Sequence, residues 1–267
     1  MAEQDRWQMS GSEAEAYDQY KVPRLFEPLA RLFLDRVPLR VGSRVLDVAC
    51  GSGVVARLAA PRVAPSGKVV GLDLNEEMLA VARAHALGDS TPIEWKQSDA
   101  NALPFADCAF DVVLCQQGLQ FLPDKPLALR EMRRVLVPGG TLALNVWGKA
   151  SRYNVVLADA LARHCNGDVA KRSLAPFALS DATAVRTLVM QAGFSEVELR
   201  TDTVLRRIYP TQEWLIQDSG PYAGDIAGME SGARATMVRE IAAKLKEFWN
   251  EDCFAVPSDV HFVHARK

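Results

Sequence analysis

One stretch constrains this chain more than any other: Val45-Leu46-Asp47-Val48-Ala49-Cys50-Gly51-Ser52-Gly53, an apolar run that ends in an acid and passes through two glycines into a helix-like segment. A strand turning tightly into a helix brings main chain close to a ligand. About 20 residues on, a second apolar run, Val69-Val70-Gly71-Leu72, ends in Asp73. A carboxylate at that place can grip a ribose diol. Together they point to a ligand that carries adenosine.

The rest of the first half repeats the alternation. Val45 to Val48 reads as strand one, and a helix runs from Gly53 to Ala60, where Pro61 stops it. Lys68 to Leu72 is strand two. Asn75 caps a helix carrying Met78, Leu79 and Ala82, which Gly88 ends. Ile93 to Gln97 is strand three, with Ser98-Asp99-Ala100 as its exit loop, and Phe110 to Cys115 is strand four. Asp124 caps a helix in which Leu129, Met132 and Val135-Leu136 recur at helical spacing. Pro138-Gly139-Gly140 is a sharp turn into strand five, Thr141 to Trp147. Strands alternating with helices imply a parallel sheet covered on both faces.

Flanking segments are less regular. Ser12 to Val37 reads as helical with a kink or break near Pro23 and Pro28. Tyr153 to Cys165 and Asp181 to Ala192 look helical, Val197 to Leu205 alternates like a strand, and Val260 to Ala265 closes the sheet. The expected organisation is one domain over 1–267. Its core covers about 40–148, 181–209 and 257–267, with an N-terminal helical lid over 1–39 and lid insertions at 149–180 and 211–250.

Composition removes several classes. A net charge of −2 offers no general pull on nucleic acid or anionic membrane. The five cysteines are odd in number, scattered and without CxxC spacing, which suits a reducing cytoplasm and neither a disulfide framework nor a zinc site. The start, Met1-Ala2-Glu3-Gln4-Asp5, is too polar for a secretory signal, and no apolar run reaches the roughly 18 residues of a membrane span. Neither a GxSxG nucleophile motif nor a histidine pair with metal-ligand spacing occurs, so no metal is expected.

Gly51-Ser52-Gly53-Val54-Val55-Ala56 satisfies the GxGxxG/A dinucleotide fingerprint. Three features move the reading elsewhere. Asp47 lies inside the turn, where a pyrophosphate would meet a negative charge; Asp99 adds a third acid at the end of strand three; Pro138-Gly139-Gly140 precedes strand five. In combination these residues resemble the class I S-adenosylmethionine-dependent methyltransferases, nearest the branch of ubiquinone/menaquinone-type and natural-product small-molecule enzymes. The resemblance is strong over about 43–147 and weaker through Ala192-Gly193-Phe194.

The resemblance implies an α/β fold: a Rossmann-like, doubly wound, mostly parallel seven-stranded sheet with an antiparallel last strand and helical lid insertions. It also implies S-adenosyl-L-methionine as cofactor. On that basis Asp47 would hold the methionine ammonium, Ala49 and Gly51 would line the cofactor with main chain, and Asp73 would accept both ribose hydroxyls. Asp99 and Ala100 would meet the adenine, and Gln116 would lie by the methionine end. Gly53, Leu74 and Met78 complete the expected cofactor contacts. Ala49 replaces a frequent family glycine and is expected to keep a negative φ.

Trp7, Tyr17 and Tyr20 precede the core and either close over the cofactor, where an aromatic face attracts a sulfonium, or pack the helix on the sheet. Gln117 and Gln120, in an otherwise apolar stretch after strand four, either line the transfer cavity or bond loop main chain. Trp214 and Tyr222 are candidates for substrate contact, His164 for a base, and His85 is expected to be solvated. The expected activity is O- or C-methylation of a small, largely apolar phenol, quinone or polyketide-like acceptor by in-line transfer, through proximity and desolvation. An NAD-dependent oxidoreductase and a non-catalytic adenosine-binding protein are the alternatives. The expected partner is a small molecule, without nucleic acid, and a homodimer is left open.

Overall fold

The computed structural model describes residues 9–85 and 92–267. Trp7 and Gly88 lie outside the described residues. Five strands run parallel: β1 (Arg44–Val48), β2 (Lys68–Asp73), β3 (Ile93–Gln97), β4 (Phe110–Gln116) and β5 (Leu136–Trp147). Two long strands follow, β6 (Ser195–Ile208) and β8 (Cys253–Arg266), with the two-residue β7 (Trp249–Asn250) beside β8. The sheet order is 3-2-1-4-5-8-6, and β8 is antiparallel to both neighbours. The seven expected strands are thus present, with β7 as an eighth.

Register carries the acids to one edge. Val48 lies opposite Leu72, and Asp73 opposite Gln97, so β1 to β4 all end at the same rim. A parallel sheet opens its ligand crevice at that rim. One face of the sheet packs on Leu129 and Met132 of α5 (Lys125–Val135) and on Val185 and Val189 of α8 (Ala182–Gln191). The other packs on Ala56, Ala59 and Val63 of α3 (Val54–Val63) and on Phe33 and Leu34 near the N-terminus. Each fully buried Val, Leu or Phe contributes about 1.5–3 kcal/mol, so these layers hold the rim in place.

The N-terminal helix does not break at its prolines. It runs α1 (Gly11–Ala16), a π-helical stretch over Tyr17–Phe26 and α2 (Glu27–Leu34). The wider i→i+5 pattern spans Pro23, which an α-helix interior tolerates poorly. In such a turn, residues four to five apart share a face.

Several boundaries differ from expectation. α3 continues through exposed Pro61 to Val63, because the buried stripe Ala56, Ala59, Ala60, Val63 outlasts the proline. α4 (Glu76–Ala84) stops at His85. Leu136 belongs to β5, where it pairs with Phe110, and Pro138-Gly139-Gly140 lies within that strand beside a bulge. Gly139, at φ +73°, absorbs the irregularity. β6 and β8 are longer than the alternation indicated, and the core boundary expected at 257 falls inside β8.

The two insertions share a small core of their own. α6 (Arg152–His164) and α7 (Gly167–Leu174) come from the first; α9 (Gln212–Asp218), α10 (Ala223–Ala227) and α11 (Ser231–Lys244) come from the second. Tyr153, Leu157, Trp214, Ile226 and Met237 pack with Ile208 and Phe254 at the far ends of β6 and β8. The extra strand length anchors the insertions to the sheet.

Candidate functional site

A cavity of about 270 Å³ lies over the rim, between the sheet and the inserted helices. Its floor and one wall come from the ends of β1 to β4. Its roof comes from the N-terminal helix and the two insertions. The volume is near the lower end of ligand pockets, roughly 300–1,000 Å³, a scale for small molecules and not for chains.

Asp47 is 1% exposed. Its Oδ2 accepts the Ala56 N–H in the first turn of α3 at 3.0 Å, while Oδ1 has no partner. Burial pushes its carboxyl up to about 8, with the Ala56 N–H pulling against that. An unpaired buried carboxylate oxygen beside a cavity calls for a cationic or donor ligand. The carboxylate also takes the helix N-terminus that a dinucleotide's pyrophosphate would need.

Asp73 accepts the main-chain N–H of Gly51 at 2.8 Å and of Asn75 at 2.9 Å. Burial raises its carboxyl, and those N–H groups oppose the rise. Asn75 caps α4 as expected, its Oδ1 accepting the Glu77 N–H at 2.9 Å. Its Nδ2 donates to the Met9 carbonyl at 3.1 Å, tying the N-terminal segment to this rim. Asp99 accepts the Asn101 N–H at 2.9 Å and lies on the same wall with Leu74, Met78 and Ala100.

The turn between β1 and α3 departs from expectation. Ala49 takes φ +56°, a left-handed conformation strained for a residue with a Cβ, and not the negative φ expected of alanine. Gly51 follows at φ +55° and faces open space, so ligand can approach its main chain. Gly53 is not on the cavity wall. At φ +82°, a Cβ there would sit 2.2 Å from the Trp95 ring. Gly53 serves close packing of α3 on the sheet, the job of the third glycine in such turns.

The N-terminal helix covers part of the cavity. Tyr17 stacks on Phe26 with centroids 5.3 Å apart, and both line the cavity. Burial, reinforced by Asp73, holds the Tyr17 phenol well above its usual range, so it stays protonated. Tyr20 points elsewhere: it lines a separate small cleft, and Arg24 lies over its ring at 5.6 Å. Gln116 donates to the Phe26 carbonyl at 3.1 Å, bonding the lid to the end of β4. His85 is not simply solvated; its Nε2 lies 2.7 Å from Asp18 of the lid helix.

Gln117 and Gln120 lie on the floor, 7% and 5% exposed. Gln120 Nε2 donates to Gln117 Oε1 at 2.9 Å, leaving Gln117 Nε2 and Gln120 Oε1 unpartnered. With both amides turned, the pair still presents one free donor and one free acceptor. Gln117 sits at φ +54°, a second strained position at the rim.

Two other candidates leave the cavity. His164 Nε2 is 3.0 Å from Glu240, in an ion-pair group with Arg163 and Lys244 on the outside of the insertions. Trp214 packs edge-on against Tyr153 at 5.5 Å inside the lid core and lies off the cavity wall. Tyr222 does line the cavity.

Three charged wall residues were missed in the sequence: Lys21, Arg206 and Asp218. Lys21 follows Tyr17 by four residues, a helical-face signal that its charge obscured. Arg206 and Asp218 lie on different elements and gave no local signal. Among the described residues, no group of three His, Cys, Asp or Glu could hold a metal ion, and no helix is long and apolar enough to cross a membrane.

Residues 45–140 match the methyltransferase domain family. A ubiquinone/menaquinone biosynthesis C-methyltransferase of Hahella chejuensis is 45% identical over 123 residues, covering 45% of this chain and 49% of its own. A 2-phytyl-1,4-naphtoquinone methyltransferase of Thermosynechococcus vestitus is 45% identical over 115 residues, 43% of this chain and 50% of its own. The chain thus spans about half the length of the curated relatives it matches. Among solved structures, Haemonchus contortus phosphoethanolamine N-methyltransferase 2 in complex with S-adenosyl-L-methionine superposes with a TM-score of 0.60 at 20% identity, covering 97% of this chain and 57% of that one. That likeness shows the fold: the mostly parallel Rossmann-like sheet is shared.

Proposed function

We propose that this chain, whose residues 45–140 carry a methyltransferase domain, transfers the methyl group of S-adenosyl-L-methionine to a small, largely apolar acceptor of phenol, quinone or polyketide type. One observation carries the reading: three carboxylates, Asp47, Asp73 and Asp99, line one cavity at successive strand ends, and the innermost has an unpaired buried oxygen. The quinone-acting relatives make a quinone the leading acceptor within that class.

The residues present fit the cofactor. Asp47 Oδ1 would receive the ammonium, and Asp73 would accept the ribose hydroxyls on lone pairs that Gly51 and Asn75 leave free. Asp99 and Ala100 would meet the adenine, with Leu74 and Met78 beside it, while the main chain at Ala49 and Gly51 allows close approach. Bound there, the cofactor supplies an electrophilic methyl group on a sulfonium, already attached to a good leaving group.

The remaining work is alignment and dehydration. Tyr17 and Phe26 cover the donor side, and Tyr17 stays a neutral phenol that does not compete as nucleophile. Gln117 and Gln120 offer one donor and one acceptor to orient the methyl acceptor. The buried carboxylate at the α3 N-terminus speaks against the dinucleotide alternative. The test is calorimetric titration with S-adenosylhomocysteine and with NAD, followed by transfer from methyl-labelled cofactor to a panel of phenols, quinones and polyketides. Micromolar binding of the homocysteine form and labelled product are expected; binding of NAD alone overturns the reading.

A further inference from the structure

A buried cluster of charge lines the same cavity as the three acids, on the N-terminal helix, β6 and α9. Arg206 Nη2 donates to both carboxylate oxygens of Asp218, at 2.7 and 2.6 Å, and the two side chains are 10% and 11% exposed. The Tyr153 hydroxyl lies 3.2 Å from Asp218 Oδ2, and the Arg206 guanidinium lies 4.9 Å above the Tyr153 ring. Arg206 and Asp218 therefore neutralise each other.

Lys21 is different. Its Nζ donates to the main-chain carbonyl of Asp218 at 2.9 Å, a neutral acceptor. An ammonium has three donors, so two remain for the cavity that Lys21 lines. One lysine, one arginine and one aspartate leave a net charge of +1 on the roof. The charged groups acting on Lys21 are those same two, Asp218 raising and Arg206 lowering its affinity for the proton, while burial lowers it further. An anion arriving at Nζ would relieve that burial cost. The cavity thus carries acids at the strand ends, where the cationic donor would lie, and a positive group that those acids do not pair with.

We propose that Lys21 is a specificity-determining residue that binds an anionic oxygen of the methyl acceptor, so that acceptors are enols or phenols acidic enough to enter as conjugate bases. The proposal rests on the methyltransferase reading and deepens it. An acceptor held this way carries its electron-rich carbon or oxygen toward the donor without needing a protein base. Among the described residues, the cavity wall holds no histidine that would serve as one. The π-helical turn matters here, because its wider repeat places Tyr17, Lys21 and Phe26 together on the cavity face.

The test uses the full chain saturated with S-adenosylhomocysteine and two probes, 2-hydroxy-1,4-naphthoquinone and its neutral 2-methoxy ether. Affinities are read by calorimetry for wild type and for Lys21→Met, a substitution that keeps length and removes charge. Wild type should prefer the ionised hydroxyquinone by about tenfold or more, the scale of a hydrogen bond to a charged group. Lys21→Met should lose that preference while binding S-adenosylhomocysteine within about twofold of wild type, which also reports an intact fold. Equal wild-type affinities, no binding of either quinone, or a preference that survives in Lys21→Met overturns the role of Lys21 alone. Failure of wild type to bind S-adenosylhomocysteine overturns the donor assignment, and this proposal with it.

Discussion

Asp73 Oδ2 accepts the main-chain N–H of Gly51 at 2.8 Å, so the acid ending the second strand fastens the turn that leaves the first. The acid proposed to hold the ribose and the turn proposed to admit the cofactor are therefore one mechanical unit. Order in either depends on the other.

Asp73→Ala should weaken S-adenosylhomocysteine binding at least about tenfold, because hydrogen bonds to a charged acceptor contribute roughly 1.5–3 kcal/mol each and 1.4 kcal/mol is tenfold. The same change strips Gly51 and Asn75 of their acceptor. A fall in stability of about 1–3 kcal/mol should accompany it. Calorimetry and thermal melting read the two effects; unchanged affinity would show that the diol is held elsewhere.

Asp47 gives a pH dependence with a definite sign. Its carboxyl is raised from 3.8 to about 8 in the folded chain. The native state thus binds the proton more tightly than the unfolded state. The stability it contributes is full below about pH 4 and is lost as pH rises through about 8. Each unit of such a shift corresponds to about 1.4 kcal/mol. Ligand-free Asp47→Asn should melt higher than wild type near pH 8 and show a flatter profile. Cofactor binding runs the opposite way: wild-type affinity should climb toward pH 8 as Asp47 ionises, and the variant should lose both the climb and most of the affinity. A variant that binds as tightly as wild type removes Asp47 from the ammonium site.

Two of the three turn positions with positive φ, Ala49 and Gly53, should respond in opposite directions. Ala49→Gly relieves a left-handed alanine and should stabilise by about 0.5–1 kcal/mol, or at least cost nothing. Gly53→Ala drives a methyl into Trp95 and should cost about 1–3 kcal/mol or more. Shrinking the ring with Trp95→Leu in the Gly53→Ala background should recover part of that loss, measured by denaturant titration as a double-mutant cycle. Additive losses would mean that the contact with Trp95 is not the cause.

The lid should close on ligand. Lys21 binds the Asp218 carbonyl and Gln116 binds the Phe26 carbonyl, so the N-terminal helix touches both the second insertion and the sheet rim. Hydrogen exchange over 12–30 and 211–250 should slow when S-adenosylhomocysteine and an acceptor are both present. If neither segment responds, the acceptor reaches an open rim and larger substrates become the better reading.

The three acids on the cavity wall were legible in the sequence because their signals are local. Each of β1 and β2 is an apolar run that ends in its own acid, and parallel pairing then brings those ends together. Gln117, Gln120 and Tyr222 were legible too, whereas the charged group of Lys21, Arg206 and Asp218 was not, because its contacts are remote. Lys21 and Asp218 lie 197 residues apart, and no periodicity joins them. Local rules also failed where packing outweighed them. Pro61 was read as a stop, yet the buried stripe ending at Val63 carries α3 past it. Ala49 was assigned an ordinary φ, yet the rim forces it left-handed. Trp214 looked like a substrate contact because an aromatic in an insertion is conspicuous, whereas its ring completes a core that only the fold assembles.

That core has a consequence for how such a protein diversifies. Tyr153 of the first insertion meets Trp214 of the second edge-on, and both rest on the overhanging ends of β6 and β8. The two insertions are therefore a matched pair in packing. A recombination that exchanges one alone leaves an aromatic ring without its counterpart and a strand overhang without cover. Exchange of both together recasts the chamber above the rim while the rim continues to serve the same donor.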